Sequence, residues 1–225
     1  MPDDSSLPRQ KIVVCAFVIH HPAGPVLFDT GLGPHPESDR RYRPVTHDLR
    51  RQLRRAGTAI EEIRAVVNCH LHVDHAGGNP NFPGRPIFAQ PLEVEAASDW
   101  DYTNPRVIDF EGVSLELHDG EADVTDGIRV IPTPGHTPGH QSLVVDTREG
   151  SVVLAGQAFN DASEYARAAF ASELAGSGGA MEVEVAPWVR TLREQIDPVR
   201  VLFAHDLAVW ERPTGPQYVM SEKKS

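Results

Sequence analysis

Asn68-Cys69-His70-Leu71-His72-Val73-Asp74-His75-Ala76-Gly77-Gly78 is the stretch on which the reading of this chain turns. It places His70, His72, Asp74 and His75 within six residues, directly after the apolar run Ile63 to Val67. Successive side chains alternate faces in extended chain, so His70 and His72 point the same way and can share one cation. Gly77, Gly78 and Pro80 interrupt any longer element. Past Val73 the chain therefore makes a tight turn or a short helix start, which re-aims Asp74 and His75 toward a second, adjacent position. Imidazole and carboxylate without thiolate suit zinc, iron, cobalt or manganese better than copper(I) or an iron-sulfur cluster.

Two later segments bring further histidines. Ile128 to Ile131 reads as a strand that runs straight into Pro132-Thr133-Pro134-Gly135-His136-Thr137-Pro138-Gly139-His140. Such density of Pro and Gly fixes the backbone at the strand end and presents His136 rigidly. Val199 to Phe203 reads as a strand that delivers Ala204-His205-Asp206. Asp206 is expected as a local cap or as an acceptor behind His205, and His140 either as a group behind the metal-binding residues or as a support of its own turn.

At 225 residues the chain is expected to form one domain over 1–225, with a core large enough to bury roughly 70% of the unfolded surface. Lys and Arg number 21 against 32 Asp and Glu, a net charge of −11, which argues against a nucleic-acid or anionic-membrane surface. The first ten residues are acidic and polar, and the apolar run Ile12 to Ile19 is too short to span a membrane. The expectation is a cytoplasmic protein acting on a small molecule. Oligomeric state is not legible. Cys15 and Cys69 are too few for a disulfide framework, and both fall in expected strands. Cys69 reads first as buried filler and second as a group behind His70.

Ile12 to Ile19 and Val26 to Phe28 form an expected hairpin that ends at Asp29-Thr30-Gly31. Asp29 reads first as a turn cap and next as an acceptor orienting a metal-bound histidine. Gly33 to Pro44 is a loop, with His35 and His47 as surface or lid residues. Thr46 to Ala56 fits a helix with Thr46 as N-cap, beside a solvated arginine face. Pro86 to Ala89 is a strand and Pro91 to Ala97 a helix with proline first. Trp100 and Tyr102 either line a pocket or close the core edge. Strands are expected at Val113 to Leu117, Ser142 to Asp146 and Ser151 to Leu154. Ala158 to Val185 reads as a mobile loop or loosely held helix, and Pro187 to Ile196 as helical.

With these residues in view, the chain resembles the metallo-β-lactamase-fold hydrolases over nearly its whole length. The likeness rests on V-L-F-D-T-G at 26 to 31, H-L-H-V-D-H at 70 to 75, P-G-H-T-P-G-H at 134 to 140 and F-A-H-D at 203 to 206. Within that superfamily it is most similar to the N-acyl homoserine lactonases, through V-L-F-D-T-G-L-G-P and H-T-P-G-H-Q-S-L. The resemblance implies an α/β (α+β) architecture: an αβ/βα sandwich of two mixed sheets with helices on the outer faces and the metals at one edge. It implies two divalent ions, zinc before others, with His70, His72 and His136 on the first and Asp74, His75 and His205 on the second. Where those lactonases carry a bridging aspartate, this chain has Gln157. A neutral amide offsets the repulsion between two cations far less than a carboxylate. Gln157 is then a substrate-binding residue or a weak ligand, and three outcomes stay open: a hydroxide-bridged pair, a single metal on His70, His72 and His136 with Gln157 facing substrate, or a site with little catalysis.

The resemblance implies lactone opening by metal-bound hydroxide, with Asp74 taking the nucleophile's proton and passing it to the leaving alkoxide. The tyrosine that follows the aspartate in those lactonases has no clear counterpart, since Tyr165 is the nearest. Hydrolysis of a β-lactam, another ester or a thioester, or a metal-binding homologue without activity, are the alternatives.

Overall fold

The structure, a computed structural model, describes residues 12–33, 39–40, 43–99, 101–176 and 186–210. Its first sheet takes strands β1 (Phe17–Ile19), β2 (Val26–Phe28), β3 (Ala65–Val67), β4 (Pro86–Ala89) and β5 (Ser114–Leu117), in that spatial order. Only the β1 and β2 pair is antiparallel; the other neighbours run parallel. Parallel neighbours need crossovers. These are supplied by α1 (Leu49–Arg55) between β2 and β3, α2 (Val73–Ala76) between β3 and β4, and α3 (Pro91–Ala97) between β4 and β5.

The second sheet is a meander of β6 (Ala122–Thr125), β7 (Ile128–Pro132), β8 (Gln141–Thr147) and β9 (Gly150–Leu154). After α4 (Ala162–Gly176) and α5 (Pro187–Thr191) the chain returns as β10 (Arg200–Leu202), parallel to β9, and then enters α6 (Leu207–Trp210).

Strand alternation explains how both sheets are buried on both faces. Val26, Phe28 and Val67 point inward to meet Ile128, Val130, Leu143 and Leu154 from the other sheet. Their neighbours Leu27 and Val66 point outward, against Leu53 of α1 and Ile60, Ile63 and Phe82. Val144 and Val153 do the same on the second sheet, under Trp188, Val189, Leu192 and Phe203. Such strands read as continuous apolar runs. Each fully buried Phe or Leu among them contributes about 1.5–3 kcal/mol. The layers are therefore helix, sheet, sheet, helix, as the resemblance implied.

Several local expectations need correction. β1 is shorter than Ile12 to Ile19; Cys15 precedes it, and its amide donates to the Ala204 carbonyl at 2.9 Å. Cys69 also lies beyond its strand, which stops at Val67. The N-cap of α1 is Asp48, whose carboxylate accepts from the Arg51 amide at 2.7 Å, and not Thr46, two residues upstream. Strand β6 was not foreseen. Ala158 to Val185 contains a 15-residue helix, α4, started by Asp161, whose Oδ1 accepts from the Ser163 and Glu164 amides. Residues 177–185 of that span, His35 and Trp100 lie outside the described residues.

Candidate metal centre

The site forms where β3, β7 and β10 end. Beyond Val67 the chain leaves the sheet through Asn68 to His72, and the His72 carbonyl then accepts from the amides of His75 and Ala76, which starts α2. Asp29-Thr30-Gly31 leaves β2 alongside. Thr30 donates its amide to the His75 carbonyl at 2.7 Å, and its hydroxyl reaches Asn79 at 3.0 Å. Gly77 is required here, because a Cβ would sit 2.1 Å from the Gly33 amide nitrogen.

Six of the predicted side chains converge in two groups. His70 Nε2 lies 2.9 Å from His72 Nδ1, which lies 3.2 Å from His136 Nε2. In the second group His75 Nε2 is 3.3 Å from His205 Nε2, and Asp74 Oδ2 is 3.5 Å and 3.7 Å from those same nitrogens. Two ligands about 2.0–2.1 Å from a tetrahedral zinc lie about 3.3–3.4 Å apart, so the spacings within both groups are near those a tetrahedral ion requires. The groups are adjacent, with the His70 and His75 ring centroids 4.2 Å apart.

Electrostatics suit the same purpose. Burial holds His70 well below the ordinary imidazole range and lowers His72 and His205; it brings His136 down to about 4. These rings keep a free lone pair at neutral pH. Burial opposes ionisation of Asp74, but His75 and His205 outweigh it and hold the carboxyl low. Burial also opposes a charged His75, but Asp74 and Asp29 override it and raise its pKa, with a hydrogen bond to the Gln157 side chain adding to the push.

Asp29 is not a turn cap. Its φ is 61°, a left-handed conformation that Asp tolerates better than most residues. Its Oδ1 accepts from the Cys69 amide at 2.8 Å, and its Oδ2 lies 2.9 Å from His75 Nδ1. Accepting there fixes the proton on Nδ1 and leaves Nε2 for a metal. Cys69 is more than filler: its Sγ is 3.1 Å from both Asp29 Oδ2 and His70 Nδ1, and 3.3 Å from His75 Nδ1. It touches a ring from each group.

The remaining expectations sort clearly. His140 supports its turn through Thr133 Oγ1 at 2.8 Å, with its Nε2 buried and unpartnered. His205 is oriented by the Val13 carbonyl, 2.7 Å from Nδ1. Asp206 caps helices, accepting from Ala208 at 2.8 Å and Ala162 at 3.2 Å. Gln157 lies at the rim, donating to Asn160 Oδ1 at 3.3 Å. Tyr165 packs its ring on Phe203 and Phe159. His47 is exposed. Two residues that sequence reasoning did not place in the site are Glu93, which it passed over, and Tyr102, which it left open: the Tyr102 ring lies 4.6 Å from the His72 ring, and its hydroxyl donates to Glu93.

Two stacked mixed sheets with a histidine and aspartate cluster at one edge define a metallohydrolase, and the chain belongs to the metallo-beta-lactamase superfamily, whose family model matches residues 11–214. N-acyl homoserine lactonases are among its relatives. It is 30% identical to an N-acyl homoserine lactonase of Bacillus sp over 226 residues, 92% of this chain and 86% of the relative. An N-acyl homoserine lactonase of Azorhizobium caulinodans is 28% identical over 89% of this chain and 84% of its own length. A crystal structure of a quorum-quenching N-acyl homoserine lactone lactonase superposes with TM-score 0.73 at 26% identity, covering 95% of this chain and 88% of the other. An N-acyl homoserine lactone hydrolase with N-hexanoyl-L-homoserine at its catalytic metal centre gives 0.71, also at 26% identity, over 92% and 87%.

Proposed function

We propose that this protein hydrolyses the lactone ring of an N-acyl homoserine lactone. The observation that carries the reading is the pair of adjacent ligand groups with near-tetrahedral spacings, in a chain 30% identical to a lactonase over nearly its full length. His70, His72 and His136 would hold one divalent ion, zinc before others, and Asp74, His75 and His205 a second. Bound there, the ions would polarise the lactone carbonyl and make water acidic enough to attack at neutral pH.

The chain's own groups account for the proton. Asp74 turns Oδ2 toward His75 and His205, and a third of its side chain is exposed. Its carboxyl stays ionised under those two rings and can accept the proton of the attacking water. As the new C–O bond forms and the ring C–O bond breaks, Asp74 returns that proton to the departing alkoxide. Gln157, at the rim, offers an amide N–H to the substrate carbonyl oxygen. The buried frame of Asp29, Cys69 and Thr30 keeps these groups in place without reorganisation.

Among the described residues no helix is long and apolar enough to cross a membrane. We place the enzyme in the cytoplasm and propose quorum quenching as its role, the term that the name of one solved relative gives for that protein. The neutral Gln157 at the expected carboxylate position favours β-lactam hydrolysis as the second reading. The test is one preparation assayed before and after metal removal and zinc restoration on N-acyl homoserine lactones, a chromogenic cephalosporin and an acyl thioester. Metal-dependent turnover confined to the lactones is expected. Turnover of the cephalosporin alone would replace the reading.

A further inference from the structure

Glu93 sits in the first turn of α3, where an acidic residue ordinarily does no more than face a helix N-terminus in solvent. Here it is 1% exposed. A buried carboxylate is costly unless donors surround it, and three donors from three segments do so. Its Oε1 accepts from the Leu71 amide at 2.9 Å, the peptide between His70 and His72. Its Oε2 accepts from the Thr137 hydroxyl at 2.7 Å, next in sequence to His136. The Tyr102 hydroxyl also donates to Oε1, while its ring lies against His72. At Gly139 the turn approaches so closely that a Cβ would fall 2.3 Å from the Glu93 amide nitrogen.

All three ligands of the first group thus hang on one carboxylate. The second group uses other supports, Asp29 behind His75 and the Val13 carbonyl behind His205. The two groups also differ in charge. Three neutral imidazoles bring none to the first, whereas Asp74 brings a negative charge to the second. Glu93 places a carboxylate behind the first group, and its charge acts on His72.

We propose that Glu93 is the positioning residue of the first metal site: it locks the His70-Leu71-His72 segment to the His136-Thr137 turn and adds the negative charge the three histidines lack. The inference rests on the two-site reading above. Thr137 and Tyr102 are its partners in the same lock.

The test separates the sites. His205→Ala leaves the first ligand group whole, and His136→Ala leaves the second. Zinc affinity of each is measured by competition with a chromophoric chelator, with and without Glu93→Gln, which keeps the shape and removes the charge. Glu93→Gln is expected to weaken zinc binding about tenfold or more in the His205→Ala background and to leave the His136→Ala background within about threefold. Equal loss in both backgrounds would mean a general effect on the fold and would overturn the proposal, as would an unchanged first site. If Glu93→Gln does not fold, Thr137→Val and Tyr102→Phe carry the test, each removing one hydrogen bond. A first-site loss of about threefold is then expected, and no loss from either overturns the proposal. Failure of His205→Ala itself to bind zinc while the unaltered protein binds it would refute the ligand assignment, and the role of Glu93 with it.

Discussion

Replacing Asp29 by Asn changes one atom of a 1% exposed side chain and inverts the chemistry behind His75. The backbone is spared, because Asn accepts the left-handed φ of 61° as readily as Asp. If the Asn oxygen keeps the Cys69 amide, held at 2.8 Å, the NH2 must face His75 Nδ1 at 2.9 Å. His75 can satisfy that donor only by moving its proton to Nε2. That atom lies 3.3 Å from His205 Nε2, at the centre of the second ligand group. The ring then presents N–H where a lone pair is needed. Loss of such a supporting bond costs about 10- to 100-fold in metal affinity, or roughly 1.4–2.7 kcal/mol. Solvent cannot screen the effect at this burial. Chelator competition in the His136→Ala background reads the second site directly, and the His205→Ala background serves as control. A loss confined to the second site is expected. Unchanged zinc affinity there, or equal losses at both sites, would refute this role for Asp29.

Further expectations follow from the same geometry. Gln157→Asp would set a carboxylate at the rim beside His75 and should tighten binding of the second ion by about tenfold, read from zinc retained after dialysis against chelator. Tyr165→Phe should leave the turnover number unchanged, because the ring packs on Phe159 and Phe203; a large loss on steady-state assay would restore Tyr165 to the mechanism. The metal-free protein should lose stability as the pH falls below about 6.5. Burial depresses His70 and His140, so between their folded and unfolded pKa values the unfolded chain binds more protons and stability rises with pH. His75, raised, opposes this in part. A lower urea midpoint in mildly acidic buffer than at neutral pH is the expected result.

The candidate ligand groups are legible because their chemistry is local. Two histidines at alternate positions and a turn that re-aims Asp74 and His75 are written in one short stretch, and Pro and Gly announce the rigid His136 turn. What supports them is not local. Asp29 reads as a turn residue until the parallel pairing of β2 and β3 brings its carboxylate under Cys69 and His75. Glu93 looks like any acid in a first helical turn, and nothing in its neighbours shows that Leu71, Tyr102 and Thr137 fold against it. The sheet interiors followed from continuous apolar runs, whereas β6, Ala-Asp-Val-Thr, has too little apolar content to stand out. Helix α4, rich in alanine, lacks a clear apolar stripe, and its start depends on Asp161 and on the distant Asp206.

Two adjacent ion sites built from these six side chains are proposed to open a lactone ring. The most direct measurement is the rate of N-acyl homoserine lactone ring opening, followed by proton release, as the metal-free protein is titrated with zinc. Negligible turnover is expected without zinc, with a rate that climbs until the second equivalent is bound. Full turnover in the absence of metal, or none with both equivalents bound, would contradict this proposal.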